Sequence, residues 1–449
     1  MTTTKRPPAI NNAEYVRRRR ALMRAVGDDA LVLVPSAPVR YRNNDATYPY
    51  RQSSDFLYLT GFDEPEALLV LAPGRDAAQQ ILFCRDHDER AERYDGARLG
   101  PERAAQHLQL DDAFPILDLD EILPGLLEGR RRIYFAVGAD ADFDRRVMGW
   151  VNGIRARVGA GALPPSEFVD IGHLLHDMRL VKSAAELRLM REAARISVAA
   201  HGRAMQAVVP DMSEGDLEAE LLYAFRRGGA REAAYESIVA GGDHACTMHY
   251  VRNDAPLRDG ELVLVDAGCE FAGYASDITR TFPVSGRFSE PQRRIYDLVL
   301  AAQRAAIDAV RPGAHFNQPH EAANRVLTAG LIALGLLEGD LDALIEAEAS
   351  RPFTIHKSSH WLGLDVHDVG DYRLGDAWRE LEPGMVLTIE PGLYFHRDLD
   401  GVPPELRGMG VRIEDDVLVT ANGCEVLTAA LPTDADEIEA LMARGAVAA

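Results

Sequence analysis

Three apolar runs in this chain end on a carboxylate: LVLVD at Asp266, MVLTIE at Glu390 and VRIE at Glu414. A charge at the end of a buried strand is costly to desolvate unless a partner or a cation meets it. One such Asp could simply open a turn, because Asp and Asn favour turns. Three strands that end alike need a shared partner. A fourth acid, Asp277, follows Asp266 after the segment AGCEFAGYAS, in which Gly268 and Gly273 predict a hairpin bend. Alternation sets Val411 and Ile413 on one face of their strand and Arg412 and Glu414 on the other. Asp277 likewise lines up with Thr279 and Thr281, and Thr388 with Glu390. Each strand thus offers an apolar face to helices and a polar face to something charged.

The stretch HKSSHWLGLDVHDVG begins at His356 and holds His360 and His367 as well. Two rings four residues apart can share one metal on a helix. The metalloprotease pattern H-E-x-x-H, however, needs Glu after the first His as general base, and Lys357 stands there. SSHWLG and LGLDVHD read as loop and strand, which disfavours a three-histidine zinc site. At His320, HEAAN lacks a second histidine and reads as ordinary helix. No G-x-S-x-G nucleophile elbow and no phosphate-binding GxxxxGK[ST] occur. Two Asp, two Glu and one His make a hard, oxygen-rich donor set, suited to manganese, magnesium or cobalt rather than thiolate-type zinc. Four carboxylates balance two divalent cations, whereas a single cation leaves a buried excess of negative charge. Two cations also supply hydrolytic chemistry, through an activated water and a polarised carbonyl.

At 449 residues the chain exceeds one ordinary core, which predicts two domains. In the first part ALVLVP, FLYLTGF, EALLVLAPG, QQILFC and RRIYFAVG read as strands, and ERAAQHLQL and LDEILPGLL as helices, giving a mixed α/β domain. Gly and Pro breakers around residues 158–182 place the boundary there, with domains at 1–176 and 177–449. Beyond it, Ser183 with Glu186 forms a capping-box signature ahead of a long helix, and DMSEGDLEAELLYAFRRGG predicts a second. Three more helical stretches lie between Ser289 and Ser350. The second half therefore reads as α+β, with long helices flanking a mostly antiparallel sheet.

Apolar residues at 47% and charged residues at 27% are the mix of a globular protein. A net charge of -21 argues against nucleic acid or an anionic membrane as partner. The run VRRRR at Val16–Arg20 reads as the solvated basic face of a surface helix. Cys84, Cys246, Cys269 and Cys424 are widely spaced and fit reduced thiols. No apolar run approaches the roughly 18 residues of a membrane span. The start MTTTKRPPAI lacks the apolar stretch of a secretory signal, so a cytoplasmic location is expected.

SHWLGLDVHD, VDAG followed by SDITRTF, LTIEPGLY and VRIEDD together resemble the creatinase/aminopeptidase "pita-bread" metallopeptidase family. RNNDATYPYRQSSDFLYLTGFDEPEALLVL at 42–71 is similar to the N-terminal domain of its Xaa-Pro aminopeptidase (aminopeptidase P) branch. The resemblance covers nearly the whole chain in order. It implies an α/β N-terminal domain plus an α+β pita-bread catalytic domain. It also implies release of the N-terminal residue from peptides with proline in second position, by attack of a metal-bridging hydroxide. The cofactors implied are two divalent metal ions per chain, manganese first, with cobalt, zinc or magnesium as alternatives. The Xaa-Pro bond is a tertiary amide without an N–H, and metal-assisted attack needs no such contact.

Carried over by position, the resemblance implies that Asp266 chelates one metal, Asp277 and Glu414 bridge the two, and His360 and Glu390 complete the second. His356 and His367 would contact the substrate carbonyls and the tetrahedral intermediate, with Glu390 also shuttling a proton. His249 in CTMHY would line the proline pocket, while Tyr394 and Arg412 would support the bridging acids and the intermediate. Asp45 in RNND is the candidate for holding the free α-amine, with a plain turn role as the equal alternative. Family members are commonly dimers or tetramers, so a homo-oligomer is expected. The chain departs from the family at Lys357 and Ser358, where Gly and an apolar residue are usual. It also has Tyr94 where the family has a Trp that a neighbouring subunit presents to the site. The rivals are prolidase, which uses the same metals on dipeptides alone, and a non-catalytic peptide-binding module of this fold. Modules of that kind typically lose metal ligands, and all five are present here.

Overall fold

The apolar runs of the first half pair into one six-stranded sheet in the computed structural model, which describes residues 8–446. In spatial order its strands are Asp112–Pro115, Gln80–Cys84, Leu68–Leu71, Ala30–Pro35, Arg132–Phe135 and Glu167–Asp170. The central Ala30–Pro35 strand pairs antiparallel with Leu68–Leu71 and parallel with Arg132–Phe135. Helices cover it, so Leu31, Val32 and Leu33 are all buried and the run shows no alternation. This unit spans Ala9–Arg179, and a second compact unit begins at Leu180.

Two segments of the first unit differ from expectation. FLYLTGF, read as a strand on its aromatic content, is the helix Ser54–Thr60. Asp55 in its first turn and Gly61 at its C-cap, in the left-handed region at φ 65°, are helix start and stop signals that outweigh the strand propensity. VRRRR is not a wholly solvated face either, because Arg18 and Arg19 are buried. The Arg18 guanidinium lies 4.0 Å over the Tyr58 ring. Arg19 donates to the carbonyls of Leu59 and Leu108 and to the Gln80 side chain. Burial lowers the Arg19 pKa to about 10. A planar fork that satisfies several carbonyls at once is a role basic composition does not reveal.

In the second unit the helices Ala184–Ala207 and Glu214–Gly228 both open on capping boxes, Ser183 with Glu186 and Ser213 with Asp216. Glu290–Ala309 and Gln318–Ala333 follow, and Ala435–Ala446 ends the described chain. The strands do not make one sheet but several short antiparallel ladders. Leu262–Asp266 pairs with Ile238–Gly241 and Thr279–Pro283. Asp415–Thr420 pairs with Val386–Ile389 and Gly423–Val426, and Gly392–Phe395 pairs with Met409–Arg412. GVRIEDDVLV is thus two strands, broken at Ile413 and Glu414.

The breaks position the acids. Asp266 is the last residue of its strand, and Asp277 lies two residues before Thr279–Pro283. Glu390 and Glu414 each sit in the short link between two strands. A carboxylate at a ladder end can turn into a cavity without removing a rung. The predicted hairpin bend falls at Ala272 and Gly273, at φ 50° and 86°. Gly268 matters for space: a Cβ there would stand 1.6 Å from the Ser276 carbonyl oxygen.

LGLDVHD is loop rather than strand. Strand-like pairing occurs just before it, where the N–H groups of Thr388 and Glu390 donate to the carbonyls of His360 and Ser358. That pairing sets His360 beside Glu390. Among the described residues no helix is long and apolar enough to cross a membrane, and the four cysteines are free thiols.

Candidate metal centre

Strand ends and the histidine loop converge on a cavity of about 310 Å³ lined by Asp266, Asp277, His360, Glu390 and Glu414. His249 and His367 line the same cavity, both from exposed positions. Asp277, His360 and Glu414 each offer a ligand atom, and these lie within 4.8 Å of one another. His360 Nε2 stands 3.4 Å from Asp277 Oδ2 and 3.5 Å from Glu390 Oε1. Its Nδ1 faces the Trp361 carbonyl at 3.0 Å and so carries the proton, which leaves Nε2 with the lone pair in the neutral ring.

The charges favour a cation. Burial, together with the neighbouring acids, pushes Glu414 well above the ordinary carboxylate range and Glu390 to about 7. Burial likewise raises Asp266. Burial would raise Asp277 too, but hydrogen bonding and charge from His360 hold it below the usual value. Burial alone would lower His360, yet Asp277 and Glu390 raise it to about 9. The Tyr235 hydroxyl stands 2.6 Å from Asp266 Oδ1 and 2.5 Å from Asp277 Oδ1, and its single proton cannot serve both carboxylates. Four clustered acids with so little positive charge fit a hard divalent cation, and the oxygen-rich donors fit it by type.

Arg412 organises the wall behind the acids. It donates through Nη2 to Asp266 Oδ2 at 2.6 Å, through Nη1 to the Tyr394 hydroxyl at 2.8 Å, and through Nε to Thr279 Oγ1 at 3.1 Å. Thr279 in turn donates to Glu414 Oε2 at 2.6 Å. Tyr394 donates to His356 Nε2 at 2.8 Å, and His356 Nδ1 donates to the Lys357 carbonyl at 2.8 Å. Burial lowers the His356 pKa to about 3, which keeps this ring a neutral acceptor.

The fold therefore gathers ten of the eleven candidates: seven line the cavity, and His356, Tyr394 and Arg412 stand directly behind them. Asp45 belongs to the N-terminal unit, exposed in the turn between Tyr41–Asn43 and Ala46–Thr47. Lys357 is exposed, whereas Ser358 is buried and its hydroxyl pairs with His320 Nδ1 at 2.9 Å. Tyr235 was not legible in the sequence: it lies outside any motif, and only the meeting of two strand ends brings both acids to it.

Residues 188–421 match the model of metallopeptidase family M24, and residues 15–134 match that of the aminopeptidase P N-terminal domain. The Xaa-Pro aminopeptidase of Haemophilus influenzae is 46% identical over 429 residues, spanning 96% of this chain and 97% of that one. The Xaa-Pro aminopeptidase of Escherichia coli is 45% identical over 434 residues, spanning 96% and 98%. The solved structure of Pseudomonas aeruginosa aminopeptidase PepP superposes with a TM-score of 0.96 at 56% identity, over 98% of this chain and 99% of that one. With both domain models in order and relatives matched along almost their full length, the chain belongs to metallopeptidase family M24 and, within it, to the Xaa-Pro aminopeptidases.

Proposed function

We propose that this chain hydrolyses the bond before proline in peptides and releases the residue ahead of it, with two divalent cations, manganese by preference, held by Asp266, Asp277, His360, Glu390 and Glu414. The observation that carries the reading is the cluster itself, four acids and one ring nitrogen at one cavity beside two exposed histidines. When bound, such a pair of cations supplies an activated water and a polarised carbonyl.

The chain's own residues do the rest. Asp266, paired with Arg412, would hold one cation, and Asp277 and Glu414 would help hold both. Glu390 is also assigned to carry a proton towards the leaving proline nitrogen. His367, exposed and edge-on to His360 with ring centroids 4.2 Å apart, is assigned to donate to the substrate carbonyl. For His356 the same role requires its Nδ1 proton to leave the Lys357 carbonyl. His249 holds the proline side, and Tyr394 with Arg412 steadies His356 and the acids. The carboxylate of Asp45 is assigned to the substrate α-amine.

The four free thiols support a reducing, cytoplasmic setting. The domain limits 1–176 and 177–449 and a dimeric or tetrameric state belong to the same reading. The experiment is cleavage of Arg-Pro-Pro with manganese. Release of arginine, abolished by chelation, is expected. Cleavage of Arg-Pro alone would instead mean a dipeptidase, and cleavage of neither would mean a binding module.

A further inference from the structure

Glu214 is one of the buried acids that the mechanism leaves unused. It lies at the first turn of the Glu214–Gly228 helix and has no solvent exposure. Gly241 N–H and His244 Nδ1–H donate to its Oε1, both at 2.9 Å. The Tyr250 hydroxyl at 2.7 Å and Ala255 N–H at 3.0 Å donate to its Oε2. Four donors on one carboxylate fill its principal acceptor sites. All four come from residues 241–255, the segment that contributes Met248, His249 and Val251 to the cavity.

Other contacts fix the same segment from two sides. The His244 and Tyr250 rings stack at 4.3 Å. Asn253, buried and in the left-handed region at φ 47°, accepts from Val239 N–H and donates to the Ser237 carbonyl. A Cβ on Gly410 would stand 2.5 Å from the Ala245 carbonyl oxygen, so the 3₁₀ turn lies directly on the strand that carries Arg412. Between these anchors His249 itself is exposed. Its place at the cavity is set by the backbone that carries it.

We infer that Glu214 is a positioning residue for substrate recognition: through Gly241, His244, Tyr250 and Ala255 its carboxylate holds the 242–255 loop so that His249 faces the peptide. The inference rests on the reading of this cavity as the peptide site. An amide in place of the carboxylate keeps the shape of the side chain. Its NH₂ group, however, would then face donors, and at least one of Ala255, Gly241 and His244 would lose its acceptor.

The test is Glu214→Gln, with Tyr250→Phe as a milder variant that removes one donor and leaves the carboxylate. For Glu214→Gln, KM for Arg-Pro-Pro should rise roughly tenfold while kcat falls less than about threefold, with metal content unchanged. Tyr250→Phe should raise KM about threefold. In a His249→Ala background, Glu214→Gln should add less than about twofold to KM, because both changes act on one contact. Amides of 242–255 should exchange faster with solvent than in the unaltered chain, with Leu262–Asp266 unchanged. An unchanged KM, full additivity with His249→Ala, or unchanged loop exchange overturns the inference. If the unaltered chain cleaves neither peptide, the functional reading fails first. Loop exchange then decides alone whether Glu214 anchors this segment.

Discussion

Arg412 Nη2 stands 2.6 Å from Asp266 Oδ2, with 2% of the Arg412 side chain and 13% of the Asp266 side chain exposed. The same guanidinium reaches Tyr394 and Thr279, so one cation joins a cavity-lining acid to the Thr279–Glu414 and Tyr394–His356 hydrogen bonds. Burial disfavours the charge on Arg412, but Tyr394, Asp266 and Glu414 outweigh it and hold its pKa well above the ordinary value. This arginine is therefore charged throughout the working range, and its geometry is what a mutation would disturb.

Arg412→Lys keeps the charge and loses the planar fork. An ammonium cannot reach Asp266, Tyr394 and Thr279 in these directions together, so at least one buried partner is stranded. Stability should fall by up to about 3–5 kcal/mol, the range for breaking a buried ion pair. Denaturant unfolding with manganese present measures this. Unchanged stability would show that the fork is dispensable.

Gly268→Ala tests the hairpin that aligns Asp266 with Asp277. A methyl group 1.6 Å from the Ser276 carbonyl has no room, and the obstacle is backbone rather than a mobile side chain. The variant should lose about 1–3 kcal/mol, as overpacked sites do, and bind less metal. Thermal unfolding and metal analysis read the two effects. Full metal content at full stability would contradict the close approach.

The N-terminal unit holds a charged cluster in which Asp55 Oδ1 is 2.7 Å from Arg179 and Oδ2 is 3.7 Å from His176. Burial pushes the Asp55 carboxyl up, but His176 and Arg179 outweigh it and hold it below the usual range. The Asp55 carboxylate outweighs desolvation and raises His176 above its ordinary 6.5. The folded state thus holds the His176 proton more tightly than the unfolded chain does. This stabilisation is fully present below pH 6.5 and fades as pH rises through the folded value. The Asp55 contribution has the opposite sense, present above about pH 3.9 and lost as pH falls through its lowered value. His176 is more than a third exposed, so His176→Gln should cost only about 0.5 kcal/mol near pH 6 and nothing measurable near pH 9. Chemical denaturation at the two pH values checks it. An equal loss at both would contradict the sign.

The cavity-lining acids were legible because a carboxylate that ends an apolar strand breaks a strong rule, and three of them, with Asp277 close after the first, point to one cause. His360 was legible only through the motif around it, since three histidines in one loop leave spacing ambiguous. What stayed hidden depends on tertiary packing. Ser54–Thr60 looked like a strand because Phe, Leu and Tyr favour sheets, while its helix signals are single residues at its ends. Arg18 and Arg19 looked solvated because nothing in VRRRR states that carbonyls of another helix wait for them. Glu214 opens a helix with an ordinary capping-box neighbour, and its four donors come from residues up to 41 positions away.

Asp277→Asn decides whether these acids hold two divalent cations for peptide hydrolysis. The change conserves shape and removes one negative charge from between Tyr235 and His360. Metal content should be measured on the unaltered and substituted chains after equilibration with manganese, alongside turnover of Arg-Pro-Pro. Two ions per unaltered chain, fewer than two in Asp277→Asn, and a fall in turnover of at least about a hundredfold are expected, as for loss of a major electrostatic contributor. Two ions retained at full turnover in Asp277→Asn would contradict a role for Asp277 in holding them.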